Sequence, residues 1–153
     1  MAQIRVDSAF RKHVDEKDMQ RLVDLTLECA GVEEEVELGL YITNDAKMKE
    51  LNRAYRGVDE TTDVLSFALS ESEAESFIGP PDSVLPLGEV IISFPRAAKQ
   101  AEDRDRSLHE EMAWLVVHGV LHLLGYDHDK PSRERRMRTM ERKAMAMASK
   151  GAR

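Results

Sequence analysis

One α+β domain, a small mixed sheet covered by about five helices, is what this chain of 153 residues predicts. Three observations lead to it. Strand-like patterns cluster early in the chain and helix-like patterns late. No internal repeat and no linker splits the sequence, so residues 1–153 read as one unit. The length suits one domain with one sizeable core, and the 42% hydrophobic and 33% charged content is that of ordinary soluble globular proteins.

Residues 2–7 alternate in polarity, with Ile4 and Val6 on one face, and read as a short strand. Residues 16–30 carry Met19, Leu22, Val23, Thr26, Cys29 and Ala30 at helical spacing, with Gly31 as a stop. Residues 35–43 form the cleanest strand, with Val36, Leu38, Leu40 and Ile42 facing one way. A helix follows over Asp45 to Tyr55, with Met48, Leu51 and Tyr55 as its buried stripe and Gly57 beyond its end. Asp63 to Ala68 and Leu87 to Ser93 read as strands. The Ser-, Glu-, Pro- and Gly-rich residues 69–84 between them read as a surface loop. Phe94 to Asp103 reads as a short helix. Ser107 opens a long helix, with Glu110 completing a capping box, and Gly125 ends it after Leu124. Pro131 or Ser132 starts a last, basic helix to about residue 150, whose Met137, Met140, Ala144 and Met147 form a core stripe.

The longest near-apolar run, Ala113 to Tyr126, has 14 residues and contains two histidines. A membrane span needs about 20 apolar residues, so no span is expected. The N-terminus has no apolar segment of signal-peptide length. A single cysteine, Cys29, leaves no internal disulfide, and a reducing cytoplasmic setting is expected. The net charge of −7 is unevenly spread. Residues 130–153 hold nine basic groups against two acids, Glu134 and Glu141, and net +7; the first 129 residues hold 13 basic and 27 acidic groups and net −14. An acidic body argues against indiscriminate nucleic-acid binding. The basic tail reads either as a solvated helix face or as a localised contact for nucleic acid.

The chemistry concentrates in His118-Gly-Val-Leu-His122-Leu-Leu-Gly125-Tyr-Asp-His128. Histidines four apart differ by about 40° around a helix and sit one turn apart, so two imidazoles can reach one ion. A continued helix would carry His128 away; a left-handed turn at Gly125 can bring it back. Three neutral imidazoles suit Zn²⁺, and also Ni²⁺ or Cu²⁺. Three protein ligands leave a fourth position for water or substrate, as catalytic zinc sites do. A shared ion also satisfies two histidines set in an otherwise nearly apolar helix. His109 lies about half a turn away on that helix and His13 in a polar stretch, and both read as surface residues. The zinc-peptidase pattern His-Glu-x-x-His has a general-base glutamate where this chain has Gly119.

A second segment runs from Leu51-Asn-Arg-Ala-Tyr-Arg56-Gly57 to Thr62-Asp-Val-Leu-Ser-Phe67. Arg56, at a helix end beside a polar loop, reads either as a phosphate-binding fork or as half of a surface salt bridge. Asp59 and Asp63 read as loop anchors or strand caps.

These two segments, with Leu87-Gly-Glu-Val-Ile91 and in this order and spacing, closely resemble the YbeY family of bacterial rRNA maturation factors over residues 35–130. Ala68 stands where the family often has proline. The resemblance implies an α+β fold with the metal site at the end of a central helix. It implies a metal-dependent, single-strand-specific endoribonuclease. Such an enzyme would act in maturation of the 3′ end of the small-subunit rRNA and in ribosome quality control. By motif, His118, His122 and His128 would bind Zn²⁺, Ni²⁺ being an alternative occupant, and Arg56 would match a functionally required arginine near the metal. The implied partners are single-stranded RNA, the small ribosomal subunit, the Era GTPase and a small-subunit ribosomal protein. Two other readings use the same histidines: a zinc peptidase or other metallohydrolase, and a non-enzymatic ribosome-assembly factor with structural zinc.

Overall fold

The computed structural model describes residues 2–68, 84–127 and 129–151. The expected loop 69–84, apart from Val84, and His128 lie outside the described residues.

Four strands form one sheet: β1 (Ala2–Val6), β2 (Val36–Thr43), β3 (Val64–Ala68) and β4 (Leu85–Ser93). Their order is β1-β2-β4-β3. β1, β2 and β4 run parallel, and β3 closes one edge antiparallel to β4. The sheet is therefore mixed, as expected. Among the described residues, five α-helices cover it: α1 (Glu16–Cys29), α2 (Asp45–Arg56), α3 (Phe94–Asp103), α4 (Leu108–Leu123) and α5 (Pro131–Gly151).

Local sequence explains the helix starts. The side chains of Asp15, Asn44, Ser93 and Ser107 each accept a hydrogen bond from a backbone N–H in the first turn that follows. At α4 the Ser107 hydroxyl accepts from Glu110 N–H at 3.1 Å and also donates to the Glu110 carboxylate at 3.1 Å. The capping pair thus exists, closed through the hydroxyl.

The alternation of β2 puts Val36, Leu38, Leu40 and Ile42 in the main core, with Val90 and Ile92 of β4 beside them. Leu115, Val116, Val117, Val120 and Leu121 of α4 pack on that face, with Leu22 and Val23 of α1 and Met137 and Ala144 of α5. Many of these side chains are fully buried, each worth about 1.5–3 kcal/mol of transfer free energy. The other face is thinner. There Met48 of α2 packs on Leu65 and Ile91, flanked by Tyr41, Leu51 and Phe67.

Three expected stripes are corrected. Tyr55 is 69% exposed, and the buried residue of that turn is Asn52. Asn52 turns inward because its amide donates to the Glu60 carbonyl at 2.8 Å and ties down the loop after α2. Tyr55 lies tilted over Phe67 instead, ring centroids 4.9 Å apart. On α5 the inward row is Met137, Glu141, Ala144 and Ala148, while Met140 and Met147 are half-buried flanks. α1 likewise buries Leu25 and Leu27 and leaves Cys29 half-buried.

Candidate metal centre

α4 is the central helix, packed against α1, α3, α5, β3 and β4. Nearly every side of it is apolar, and ten of its 16 residues are buried. Its first turn exposes His109 and Glu110, and Glu111 is buried with Arg104 at 2.8 Å; one row at i, i+4 and i+8, Trp114, His118 and His122, is half-buried. The indole of Trp114 stacks on the His118 ring at 4.7 Å and 23°. The His118 and His122 rings meet edge to face, also 4.7 Å apart. The i, i+4 spacing therefore does what the sequence predicts and sets two imidazoles side by side at the C-terminal end of the helix.

The helix ends as expected. Gly125 adopts φ +95°. Its N–H donates to the His122 carbonyl and the Tyr126 N–H to the Leu121 carbonyl, both at 3.0 Å, the paired bonds of a Schellman stop. The chain reverses there, immediately before His128. His128 is outside the described residues, so the third ligand of the expected set is a proposal. Among the described residues no three His, Cys, Asp or Glu side chains converge on one point.

Gly119, between the histidines, faces the sheet. A Cβ built on it would lie 2.5 Å from Val90 Cγ1 and 3.4 Å from Val64 Cγ2. No side chain fits without displacement, and one placed there would enter the core. The missing peptidase glutamate thus has a steric explanation. Ser66 of β3 donates its hydroxyl to the Gly119 carbonyl at 3.0 Å, locking the edge strand to this turn of α4.

α5 forms the other wall. Its Glu141 carboxylate lies 2.8 Å from His118 Nδ1, with the two side chains 13% and 17% exposed. Trp114, His118, Glu134, Met137, Arg138 and Glu141 enclose a cleft of about 240 Å³. A second cleft, about 450 Å³, lies at the α4–α5 turn and is lined by Gly125, Tyr126, Asp127, Arg133 and Arg136. Arg138 is ion-paired with Glu134, and Arg133 with Asp129 at 3.3 Å.

Arg56 is placed elsewhere. Because Val90 and Ile91 face opposite ways, α2 and α4 lie on opposite faces of the sheet. Arg56 is exposed in the last turn of α2 and makes no ion pair among the described residues. The edge strand β3 lies between the two elements. Asp63 caps β3, its carboxylate accepting from Val64 N–H at 2.9 Å, and Asp59 is exposed in the loop before it. His109 and His13 are at the surface as expected; His109 Nε2 sits 2.6 Å from Asp18 of α1.

The donor set fits a divalent ion of borderline softness. Two imidazoles share one helix face, and a carboxylate engages Nδ1 of one of them, which leaves Nε2 as the nitrogen to face a ligand.

Residues 3–149 match the family described as Endoribonuclease YbeY. The chain belongs to this family. It is 45% identical over 139 residues to the endoribonuclease YbeY of Roseiflexus sp. (strain RS-1), covering 90% of this chain and 86% of that one. To the endoribonuclease YbeY of Moorella thermoacetica it is 49% identical over 113 residues, 72% of each chain. A Thermotoga maritima protein solved in solution superposes with a TM-score of 0.64 at 25% identity, covering 97% of this chain and 89% of that one. Membership of the YbeY family thus extends past the motifs to α1 and to most of α5.

Three participants were not singled out from sequence: Trp114, Ser66 and Glu141. The signal for Glu141 was present, since it falls on the apolar row of α5, four residues after Met137 and three before Ala144.

Proposed function

We propose that this chain is a metal-dependent endoribonuclease that cuts single-stranded RNA. It acts in maturation of the small-subunit rRNA 3′ end and in ribosome quality control. His118, His122 and His128 hold one Zn²⁺. The carrying observation is the His118–His122 pair, 4.7 Å apart at the end of α4, just before the Gly125 turn that leads to His128. Family membership supplies the reaction class, cleavage within an RNA strand.

A bound ion supplies a Lewis acid for a phosphate oxygen and a water of lowered pKa. The chain's own residues do the rest. The three imidazoles set the position of the reacting phosphate. Arg56, exposed and without an ion pair among the described residues, neutralises charge developing on that phosphate. An RNA strand lying over the β3 edge would meet α4 on one side and α2, which carries Arg56, on the other. The attacking group is a water or the neighbouring ribose 2′-hydroxyl. The close packing of Gly119 on Val90 leaves no room for a peptidase-type glutamate, which favours RNA over peptide.

No helix of the described residues is long and apolar enough to cross a membrane. The ribosomal task of this reading is a cytoplasmic one. The Era GTPase and a small-subunit ribosomal protein belong to the same reading. The acidic first 129 residues, net −14, offer a surface for a basic ribosomal protein.

The test compares wild type and His118→Ala, purified in parallel, on labelled single-stranded and hairpin RNA with added zinc. The wild type is expected to cut the single strand and the variant to fall to background. Equal cleavage by both overturns the assignment of activity to this site. Silence from both, with zinc bound to the wild type, favours an assembly factor with a structural ion.

A further inference from the structure

We propose that Glu141 is the positioning residue of the metal centre. Its carboxylate accepts the Nδ1 proton of His118, fixes the tautomer whose Nε2 lone pair faces the ion, and makes that nitrogen a stronger donor. The proposal rests on the metal-site reading of His118 and deepens it.

Glu111 is the other inward acid of α4 and α5, fully buried but paired with Arg104 at 2.8 Å; Glu141 differs in having a histidine as its partner. It occupies the inward row of α5, where its neighbours at i−4, i+3 and i+7 are Met137, Ala144 and Ala148, all buried. A carboxylate on such a row is costly to desolvate unless it has a partner. Among the described residues its hydrogen-bond partner is His118, at 2.8 Å. The basic side chains nearby are otherwise engaged: Arg138 pairs with Glu134, and Arg142 Nε donates to the Arg138 carbonyl. His118 is held from two directions, by the carboxylate at the ring edge and by the Trp114 indole stacked on the ring face. Together these contacts fix the ring's tilt and rotation before any ligand arrives.

The competing account is an ion pair between protonated His118 and Glu141 that only ties α5 to α4. The two accounts predict opposite signs. If Glu141 orients a neutral imidazole, its loss weakens zinc binding. If it holds a protonated imidazole, zinc must displace that pair, and its loss leaves affinity unchanged or raises it.

The experiment measures zinc affinity of the wild type, Glu141→Gln and Glu141→Ala by competition with a chromophoric chelator at one fixed pH. Loss of a carboxylate behind a ligating histidine is expected to weaken affinity by about 10–100-fold in Glu141→Ala. Glu141→Gln should fall between, because its amide oxygen still accepts from Nδ1 but carries no charge. It also keeps the side-chain shape should the alanine variant fail to fold. Side-chain ¹⁵N NMR of the zinc-free protein reads the tautomer directly. The wild type and Glu141→Gln should show His118 protonated at Nδ1, and Glu141→Ala a mixture. Zinc binding by the wild type with equal or tighter binding by both variants overturns this proposal alone. No zinc binding by the wild type overturns the metal-site reading, and this proposal with it.

Discussion

The two faces of the sheet are built differently, and the proposed site draws on both. On one face α4 is enclosed by α1, α3, α5 and two strands, and His118 and His122 occupy a half-buried row of a mostly apolar helix. On the other face α2 rests on the small cluster Met48, Leu65 and Ile91, and its last turn is solvent-exposed. The rigid face is suited to holding an ion, which needs ligands fixed within fractions of an ångström. The open face is suited to a side chain that meets the substrate only when substrate arrives. The comparison implies that removing a group from each face produces different defects.

Arg56→Ala should show the largest of them. If Arg56 meets charge that develops only during cleavage, the rate should fall by about 10²–10³, or 2.7–4 kcal/mol, as for loss of one oxyanion donor. Zinc affinity should be unchanged and stability within about 0.5 kcal/mol, because the residue is exposed. Single-turnover cleavage, chelator competition and thermal unfolding on one preparation separate these effects. Arg56→Lys should recover only part of the rate, since an ammonium lacks the planar fork. A variant that loses zinc would place Arg56 in the metal centre itself and erase the contrast between the faces.

Gly119→Ala tests the rigid face. The added methyl would sit 2.5 Å from Val90 Cγ1, so α4 or the valine must move. Overpacking of this kind costs about 1–3 kcal/mol. The melting temperature should drop, and zinc affinity should weaken as the histidine row shifts with the helix. Val90→Ala in the same chain should restore part of both. Unchanged zinc affinity despite lower stability would show that the site tolerates movement of the helix bearing it.

These differences also explain what could be read from sequence. The i, i+4 histidines, the Gly125 stop and the alternation of β2 are local patterns, and each appears where expected. Tyr55 and Asn52 exchanged roles because a polar partner eight residues away, the Glu60 carbonyl, outweighed helical periodicity. Ser66 and Glu141 act across 53 and 23 residues of sequence, and no local pattern reports a partner at that distance. Glu141 was visible only as a charge on an apolar row. Arg56 was legible as an arginine beside a loop, but its place across the sheet from the histidines required the strand order.

The smallest expected effect concerns the basic face of α5. Arg135, Arg138 and Arg142 recur at i, i+3 and i+7 on the exposed side of the helix. Arg138 and Glu141 both line the cleft that holds His118 and Trp114, so this row borders the proposed site. An RNA strand entering the cleft would pass the arginines first. Each phosphate of a single strand that is no longer neutralised should reduce the slope of log affinity against log salt by about 0.7, so replacing all three arginines with alanine should flatten it by about 2 at most. The pairing of Arg138 with Glu134 makes a smaller change more consistent with the structure, because that charge is partly neutralised within the helix. Binding of a labelled single strand across a salt series, with the metal site intact, gives the slope. A flatter slope with unchanged zinc affinity would make α5 a guide for RNA as well as the wall that carries Glu141. An unchanged slope would leave the arginines as a solvated face and confine recognition to the two sides of β3.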